Sequence, residues 1–186
     1  MASGEITQLI DELSGSRRRA RQDASHEIAI IAKEDPDALV EYSDELIDAL
    51  FRPEAQTRWE IMDALSDMAL AHPETASEAY EAVEPSLYDE KSAAVRLSAF
   101  HYLAVLGATD PKRSEKAWDL LDGAVQCFHG DPEYRDMLLY LIDFAQGDIS
   151  DKTRMGMKQR FEFDAENGRG YIKAWSKDIY DIVDVS

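Results

Sequence analysis

The segment RLSAFHYLAVLGATDP, residues 96–111, decides the fold, because three other stretches of the chain repeat its pattern. The four segments align without gaps and read, in chain order, RQDASHEIAIIAKEDP from Arg21, RWEIMDALSDMALAHP from Arg58, RLSAFHYLAVLGATDP from Arg96 and RDMLLYLIDFAQGDIS from Arg135. A proline stands 15 residues after the arginine in the first three, at Pro36, Pro73 and Pro111, and Ser150 takes that place in the fourth. The arginines are 37, 38 and 39 residues apart, a period typical of helical hairpins.

Apolar residues recur three, seven and ten places after each arginine. These offsets fall on one stripe of a helix with 3.6 residues per turn, so each segment predicts an amphipathic helix. The predicted buried positions are Ala24, Ile61, Ala99, Leu138, Ile28, Leu65, Leu103, Ile142, Ile31, Met68, Leu106 and Ala145. Proline ends such a helix and suits the first position of the next one, so each repeat predicts a helix A, a tight turn and a helix B.

The B segments also align with one another. Ten and fourteen places past the prolines stand apolar residues, namely Leu46, Val83 and Leu121, then Leu50, Leu87 and Val125. Tyr80 and Trp118 share a position, and Tyr42 stands one residue out of register. Large aromatic residues commonly anchor cores, so the favoured interpretation of these three is as core residues rather than ligand contacts.

Residues 93–111, AAVRLSAFHYLAVLGATDP, resemble the first helix and turn of a HEAT repeat, in which V-R-x-x-A precedes a leucine-rich stripe. The resemblance extends over about residues 16–164, and armadillo-type or other α-solenoid hairpins fit the same degenerate pattern. It implies an all-α superhelix, a short α-solenoid of about four helical hairpins with capping helices at both ends.

The alignment predicts a single domain over residues 1–186. Residues 1–15 form its N-terminal cap helix, with Ile6, Leu9, Ile10 and Leu13 inward, and residues 165–186 form its C-terminal cap helix, with Ile172, Trp175, Ile179 and Ile182 inward. The predicted repeats are 16–52, 53–90, 91–130 and 131–164. Such caps cover the apolar ends of a repeat stack.

Composition limits the class of partner. With 38 acidic and 20 basic residues the chain carries a formal charge of −18, which repels polyphosphate and anionic lipid surfaces and favours a basic protein partner. Nucleic acid and membrane are therefore disfavoured. The single Cys127 fits a reducing compartment, and no apolar signal segment or run of 18 apolar residues is present, so a soluble cytoplasmic protein is expected.

The first two B segments are acidic throughout. Residues 36–51 and 73–90 hold eleven acids and no basic residue. In HEAT-like stacking the B helices line the concave side, so the resemblance implies an acidic face able to steer a basic segment of another protein. The candidate binding residues are Asp37, Glu41, Asp44, Glu45, Asp48, Glu74, Glu78, Glu81, Tyr80 and Trp118. A solvated surface without a partner explains the same charges.

Four arginines, Arg17, Arg18, Arg19 and Arg21, precede the first A helix. Arg21 is the repeat arginine, which gives it a structural explanation. The other three oppose the helix dipole, and two explanations stay open: acids such as Asp11 or Glu12 clamp them, or they bind an anionic ligand.

A nucleic-acid hypothesis follows from a second similarity. The DNA alkylation-repair glycosylases are HEAT-like helical solenoids that hold damaged DNA in a basic groove. This similarity implies phosphate contacts from Arg17, Arg18, Arg19, Arg21, Arg154, Lys158 and Arg160. The net charge and the acidic B segments favour the protein-binding scaffold over this alternative.

Catalytic motifs are absent from the sequence: it has no G-x-S-x-G, glycine-rich phosphate loop, H-E-x-x-H or paired C-x-x-C. The four histidines, His26, His72, His101 and His129, are spread over the repeats without metal-ligand spacing, so structural or surface roles are expected. We therefore expect neither an enzyme, a metal site nor a cofactor.

Two acids stand four residues before a repeat arginine, Glu54 before Arg58 and Asp131 before Arg135. This acid-first spacing predicts ion pairs within the A helices, each worth about 0.3 to 0.5 kcal/mol.

Overall fold

The computed structural model describes residues 3–184, and these residues form eleven α-helices, two 3-10 helices and no strand. The α-helices are α1 (Ser3–Ser14), α2 (Arg18–Glu34), α3 (Ser43–Ala49), α4 (Ala55–Ala71), α5 (Pro73–Ser77), α6 (Tyr80–Val83), α7 (Ala93–Gly107), α8 (Pro111–Cys127), α9 (Tyr134–Gln146), α10 (Asp151–Asn167) and α11 (Gly170–Asp184). The 3-10 helices are Pro36–Tyr42 and Glu84–Tyr88. The predicted all-α class is confirmed.

The helices group into two compact units. The first unit ends at Tyr102 and the second begins at Leu103, so the boundary lies inside α7. The first unit contains α1 to α6 and most of α7, and the second contains α8 to α11. The single domain and its repeat boundaries stay predictions.

The A helices are α2, α4, α7 and α9, and each buries the predicted stripe. All positions three, seven and ten places after the arginines are buried except Ile142, which is half-buried. The stripe is therefore the core of each repeat, as the periodicity predicts.

Proline opens the B segment in the first three repeats. Pro36 begins a 3-10 helix, Pro73 begins α5 and Pro111 begins α8. At α8 the Asp110 carboxylate also accepts hydrogen bonds from two backbone N–H groups of the first turn. Ser150 caps α10 in the same way, by accepting from the backbone N–H of Thr153.

The B segments differ between the units, and the prediction of one helix B in each repeat was wrong for the first two repeats. In the second unit α8 and α10 are continuous helices of 17 residues. In the first unit the first B segment is a 3-10 helix followed by α3, and the second is α5, α6 and a further 3-10 helix. Pro85 stands at the start of that 3-10 helix, where its missing N–H cannot extend α6.

The 3-10 geometry explains the displaced Tyr42. Tyr42 lies six residues after its proline in a helix with 3.0 residues per turn, which is two turns. Trp118 lies seven residues after its proline in a helix with 3.6 residues per turn, which is nearly two turns. The two aromatic residues thus point in similar directions relative to their own prolines, despite the shift in sequence.

The terminal helices pack by their apolar faces. In α1, Ile6, Ile10 and Leu13 are buried as predicted. In α11 the buried residues are Ser176, Ile179 and Val183, whereas Ile172, Trp175 and Ile182 are only half-buried. The inward stripe of α11 therefore lies about one position from the predicted one.

Candidate functional site

The repeat arginine Arg21 connects the first two repeats, and Arg58 contacts Asp89 at the end of its own repeat. The Arg21 guanidinium pairs with the Glu54 carboxylate, and both side chains are at least nine-tenths buried. Arg21 Nη1 also donates to the Gly15 carbonyl at 2.9 Å. Arg58 Nη2 donates to Asp89 Oδ2 at 2.8 Å. Because Glu54 pairs with Arg21 and Arg58 with Asp89, the predicted pair between Glu54 and Arg58 is wrong.

These contacts lower the pKa values of the two carboxyl groups, Glu54 and Asp89. The hydrogen bond from Arg21 lowers the pKa of Glu54 below its ordinary value, against the opposing effect of burial. Burial would raise the pKa of Asp89, but hydrogen bonds from Arg58 and from the backbone N–H groups of Lys91 and Ser92 lower it. Asp89, one of the eleven acids of the B segments, therefore has a structural role.

Three arginines at the start of α2, Arg17, Arg18 and Arg19, are exposed. Arg17 lies beside Asp11 and Glu12 around a small surface cavity, but no ion pair within 4 Å joins them. Arg19 approaches Asp23 of its own helix at 3.7 Å, with both side chains largely exposed. Exposed pairs of this kind contribute little to stability.

Several cations of the nucleic-acid hypothesis are already paired. Arg21 binds Glu54, Lys158 Nζ pairs with Asp184, and Arg160 pairs with Asp122. These contacts neutralise three of the seven positive charges on which that hypothesis rests.

Most candidate acids of the B segments are exposed, whereas the candidate aromatic residues are not. The exposed acids are Asp37, Glu41, Asp44, Asp48, Glu74, Glu78 and Glu81, and Glu45 is half-buried. Tyr80 and Trp118 are only 7% and 8% exposed, as expected of core residues. These two rings cannot act as surface anchors in this conformation.

The structure also contains a groove between A helices, away from the B segments, that was not predicted from the sequence. It lies between α2, α4 and α7 in the first unit and has a volume of about 330 Å³. Its lining residues are His26, Ala29, Ile30, Lys33, Glu60, Asp63, Asp67 and His101. Three of them are acids on one face of α4, and Ile30 supplies an exposed apolar surface.

The α4 acids are partly removed from water. Burial, with help from the neighbouring carboxylates Glu60 and Asp67, raises the pKa of Asp63 to about 6, although a hydrogen bond donated by Ser98 lowers it. Burial also raises the pKa of Asp67, against the positive charges of His101 and Lys33. A carboxylate with a raised pKa has an environment that stabilises its charge less well than water does.

A signal for this row was present in the sequence. Glu60, Asp63 and Asp67 are three and four residues apart, a spacing that places them on one side of a helix. Their position in a groove depends on α2 and α7, however, and that packing is not visible in the local sequence.

Three of the four histidines contact carboxylates of neighbouring repeats. His26 Nδ1 lies 3.1 Å from Glu60 Oε1, and His129 Nε2 lies 2.9 Å from Asp164 Oδ2. His72 contacts Asp37 in the same manner. No group of three histidine, cysteine or acidic side chains able to hold a metal occurs within residues 3–184. No helix in that range is long and apolar enough to cross a membrane.

Comparison with known proteins gives matches among solved structures only: no family model and no curated protein matches the chain. A designed armadillo repeat protein in complex with peptide (KR)4 is similar with a TM-score of 0.79 at 16% identity, over 97% of this chain and 82% of that one. Computationally designed armadillo repeat proteins for modular peptide recognition give a TM-score of 0.76 at 16% identity, over 96% of this chain and 82% of theirs.

A natural protein is also similar. The HEAT-like repeats protein from the archaeon Thermococcus onnurineus NA1 matches with a TM-score of 0.57 at 13% identity, over 98% of this chain and 75% of that one. At such identities the likeness shows the fold. The chain therefore has a helical-repeat fold of the HEAT/armadillo type.

Proposed function

We propose that the protein is a non-catalytic interaction scaffold in the cytoplasm that binds a basic segment of another protein on the first unit. The observation that carries this proposal is the row Glu60, Asp63 and Asp67 in the groove between α2, α4 and α7. A lysine or arginine placed there would stabilise the Asp63 and Asp67 carboxylates, which burial has destabilised. The designed armadillo protein with its bound (KR)4 peptide supports a partner of this chemistry on this fold.

The exposed acids of the B segments have a different role in this proposal. Charges in water contribute little affinity individually, but together they raise the rate at which a basic segment arrives. The half-buried groove acids contribute mainly to how long the segment stays. Ile30 offers apolar contact to the methylene stems of lysine or arginine.

Calorimetry and stopped-flow binding with a (KR)4 peptide test the proposal. In the groove variant, Asp63→Asn with Asp67→Asn, we expect affinity to fall about tenfold, mainly through faster dissociation. The matched control is Asp44→Asn with Asp48→Asn, which removes the same charge from exposed positions of α3. It is expected to slow association modestly, and this effect disappears at high salt.

Two outcomes contradict the proposal. One is the absence of any binding to (KR)4 at low salt. The other is an equal loss in the groove variant and in the α3 control, which would reduce the interaction to non-specific charge attraction.

A further inference from the structure

A second cavity lies within the second unit, where the end of α8, the start of α9 and the last part of α10 meet. Its volume is about 470 Å³, within the usual range of small-ligand sites. Its walls are formed by Val125, Gln126, His129, Tyr134, Arg160 and Asp164, with Phe163 beside them. The proposed scaffold function uses none of these residues.

Tyr134 lines this cavity and carries a hydroxyl group without a partner. The Tyr134 side chain is 0% exposed, and its Oη atom has no hydrogen-bond partner. Buried hydroxyl groups are nearly always paired. Burial and the nearby Asp164 carboxylate raise the pKa of Tyr134, so the phenol stays neutral and its oxygen can accept a hydrogen bond.

Most hydrogen-bond donors in the walls are already used. Arg160 Nε and Nη2 both donate to Asp122, the latter at 2.9 Å, and Gln126 Nε2 donates to Asp122 Oδ2 at 3.0 Å. His129 Nε2 lies 2.9 Å from Asp164 Oδ2, and because a carboxylate only accepts, this ring nitrogen carries the hydrogen. Arg160 Nη1 and the Tyr134 hydroxyl hydrogen are the donors that remain.

Acceptors, in contrast, remain available. Asp164 Oδ1 and Gln126 Oε1 make no hydrogen bond among the described residues, and Tyr134 Oη makes none either. Arg160 pairs with Asp122 and is also within the electrostatic reach of Asp164, so these three side chains together hold two acids and a single base. The cavity is therefore suited to a ligand that donates several hydrogen bonds and carries positive charge.

Apolar surface accompanies these acceptors. The Phe163 ring is 71% exposed beside the cavity, and Val125 contributes to its wall. An exposed aromatic face attracts cations, and a planar guanidinium stacks on such a face. An aliphatic chain can lie against Val125 and the ring.

We propose that this cavity binds a guanidinium group on an aliphatic stem, with donors to Asp164 Oδ1 and Tyr134 Oη and stacking on Phe163. The site is independent of the groove in the first unit, since none of its residues belongs to that unit. The guanidinium belongs either to a small cation or to an arginine side chain of a protein.

Titration of the full chain with N-acetyl-arginine amide, followed by calorimetry or NMR, tests the site. N-acetyl-citrulline amide is the neutral isostere of the probe, and we expect it to bind at least about tenfold more weakly. Asp164→Asn is expected to lower affinity for the arginine compound about tenfold, and Tyr134→Phe severalfold. Tyr134→Phe should fold normally, because the hydroxyl that it removes makes no hydrogen bond.

Glu162→Gln is the matched control, since it removes an exposed acid from the same helix outside the cavity. It should bind the arginine compound as the wild type does, and so should Asp63→Asn with Asp67→Asn. Equal binding of the citrulline compound, an equal loss in Glu162→Gln, or unchanged affinity in Tyr134→Phe would each overturn the proposal.

A third titration distinguishes the two sources of the group. A peptide with one arginine flanked by glycines presents the same guanidinium on a longer backbone. Tighter binding of this peptide than of the amide assigns the cavity to a protein side chain, and weaker binding assigns it to a small cation.

Discussion

The most deeply buried polar contacts of the two units have different chemistry. In the first unit the contacts are charged: Arg21 pairs with Glu54, and Arg58 with Asp89. In the second unit, α8 and α10 share a buried neutral contact, apart from the less buried ion pairs Asp122–Arg160 and Glu115–Lys152. Ser114 Oγ lies 3.0 Å from Thr153 Oγ1, accepts from the Ser150 N–H at 3.0 Å and donates to the Pro111 carbonyl at 2.6 Å.

This difference shows that one repeat pattern tolerates two ways of satisfying buried polar groups. A buried ion pair must offset the loss of hydration, and it fails when either partner is neutralised or removed. A hydroxyl network carries no charge, so acid and salt leave it unchanged. The Arg21–Glu54 contact should therefore respond to pH, and the Ser114 contact much less.

The largest effect is expected from Glu54→Ala, which leaves the Arg21 guanidinium buried without its carboxylate. Such a change typically costs about 3 to 5 kcal/mol, measured as the free energy of unfolding in urea. The folded-state pKa of Glu54 is lowered, so its contribution is present above its ordinary titration range and is lost as pH falls through the folded-state value. The difference between wild type and variant should therefore shrink in acid.

A double variant separates charge from packing at this position. Arg21→Met with Glu54→Leu replaces the ion pair by apolar groups of similar size and should recover most of the lost stability. If the double variant is as unstable as Glu54→Ala, the pair has a structural role that apolar packing cannot replace.

Leu65→Ala and Leu103→Ala test whether the core is equivalent in the two units. The two leucines stand seven places after Arg58 and Arg96, one in each unit, and are 1% and 0% exposed. Each substitution should cost about 2 to 5 kcal/mol in urea unfolding, through lost burial and an added cavity. A loss below about 1 kcal/mol for either variant would mean that the aligned stripe is not the core of that unit.

Ser114→Ala tests the neutral contact of the second unit. It removes the acceptor of the Ser150 N–H and the partner of Thr153, and should cost about 1 to 3 kcal/mol. Urea unfolding at pH 4 and pH 7 should give the same difference from wild type. A loss that varies with pH as strongly as that of Glu54→Ala would remove the contrast between the two contacts.

Asp63→Asn should have the smallest effect and the opposite sign. Its folded-state pKa is raised to about 6, so in the wild type stability rises as pH falls through 6 toward the ordinary value of 3.8. The amide imitates the protonated acid and should stabilise the protein by about 1 kcal/mol at pH 7, allowing for the partial exposure of the group. The gain should vanish near pH 4, and a destabilised variant at pH 7 would contradict this account.

The sequence predicted the A helices well, because burial recurs at fixed offsets and each helix reports its own inward face. It did not predict the 3-10 segments. Tyr42, six residues into a 3-10 helix, and Trp118, seven residues into an α-helix, both lie about two turns after their prolines, so the apolar pattern does not distinguish the two kinds of helix. The partner of Arg58 was missed for a related reason. Glu54 lies at the favourable local spacing, but Asp89, 31 residues away, is brought to the guanidinium by tertiary packing.

The candidate sites were less predictable than the fold. The acids of the B segments stand out as charge runs, whereas the groove acids of α4 are interspersed with the core stripe of the same helix. The cavity of the second unit joins Tyr134 to Asp164, which are 30 residues apart, so only the folded chain brings the phenol and the carboxylate together. Tyr80 and Trp118, in contrast, were predictable: their shared position in the aligned repeats indicated the core, and both are buried.

Binding of a cation in the groove would change the protonation of the half-buried Asp63 carboxyl group. At a pH near 6 the group is about half protonated, and a bound lysine or arginine would lower its pKa and release a proton. The released proton is taken up by the buffer, so the heat of binding would contain the buffer's own enthalpy of ionisation. The same titration run in phosphate and in an amine buffer would then give different heats with a single affinity.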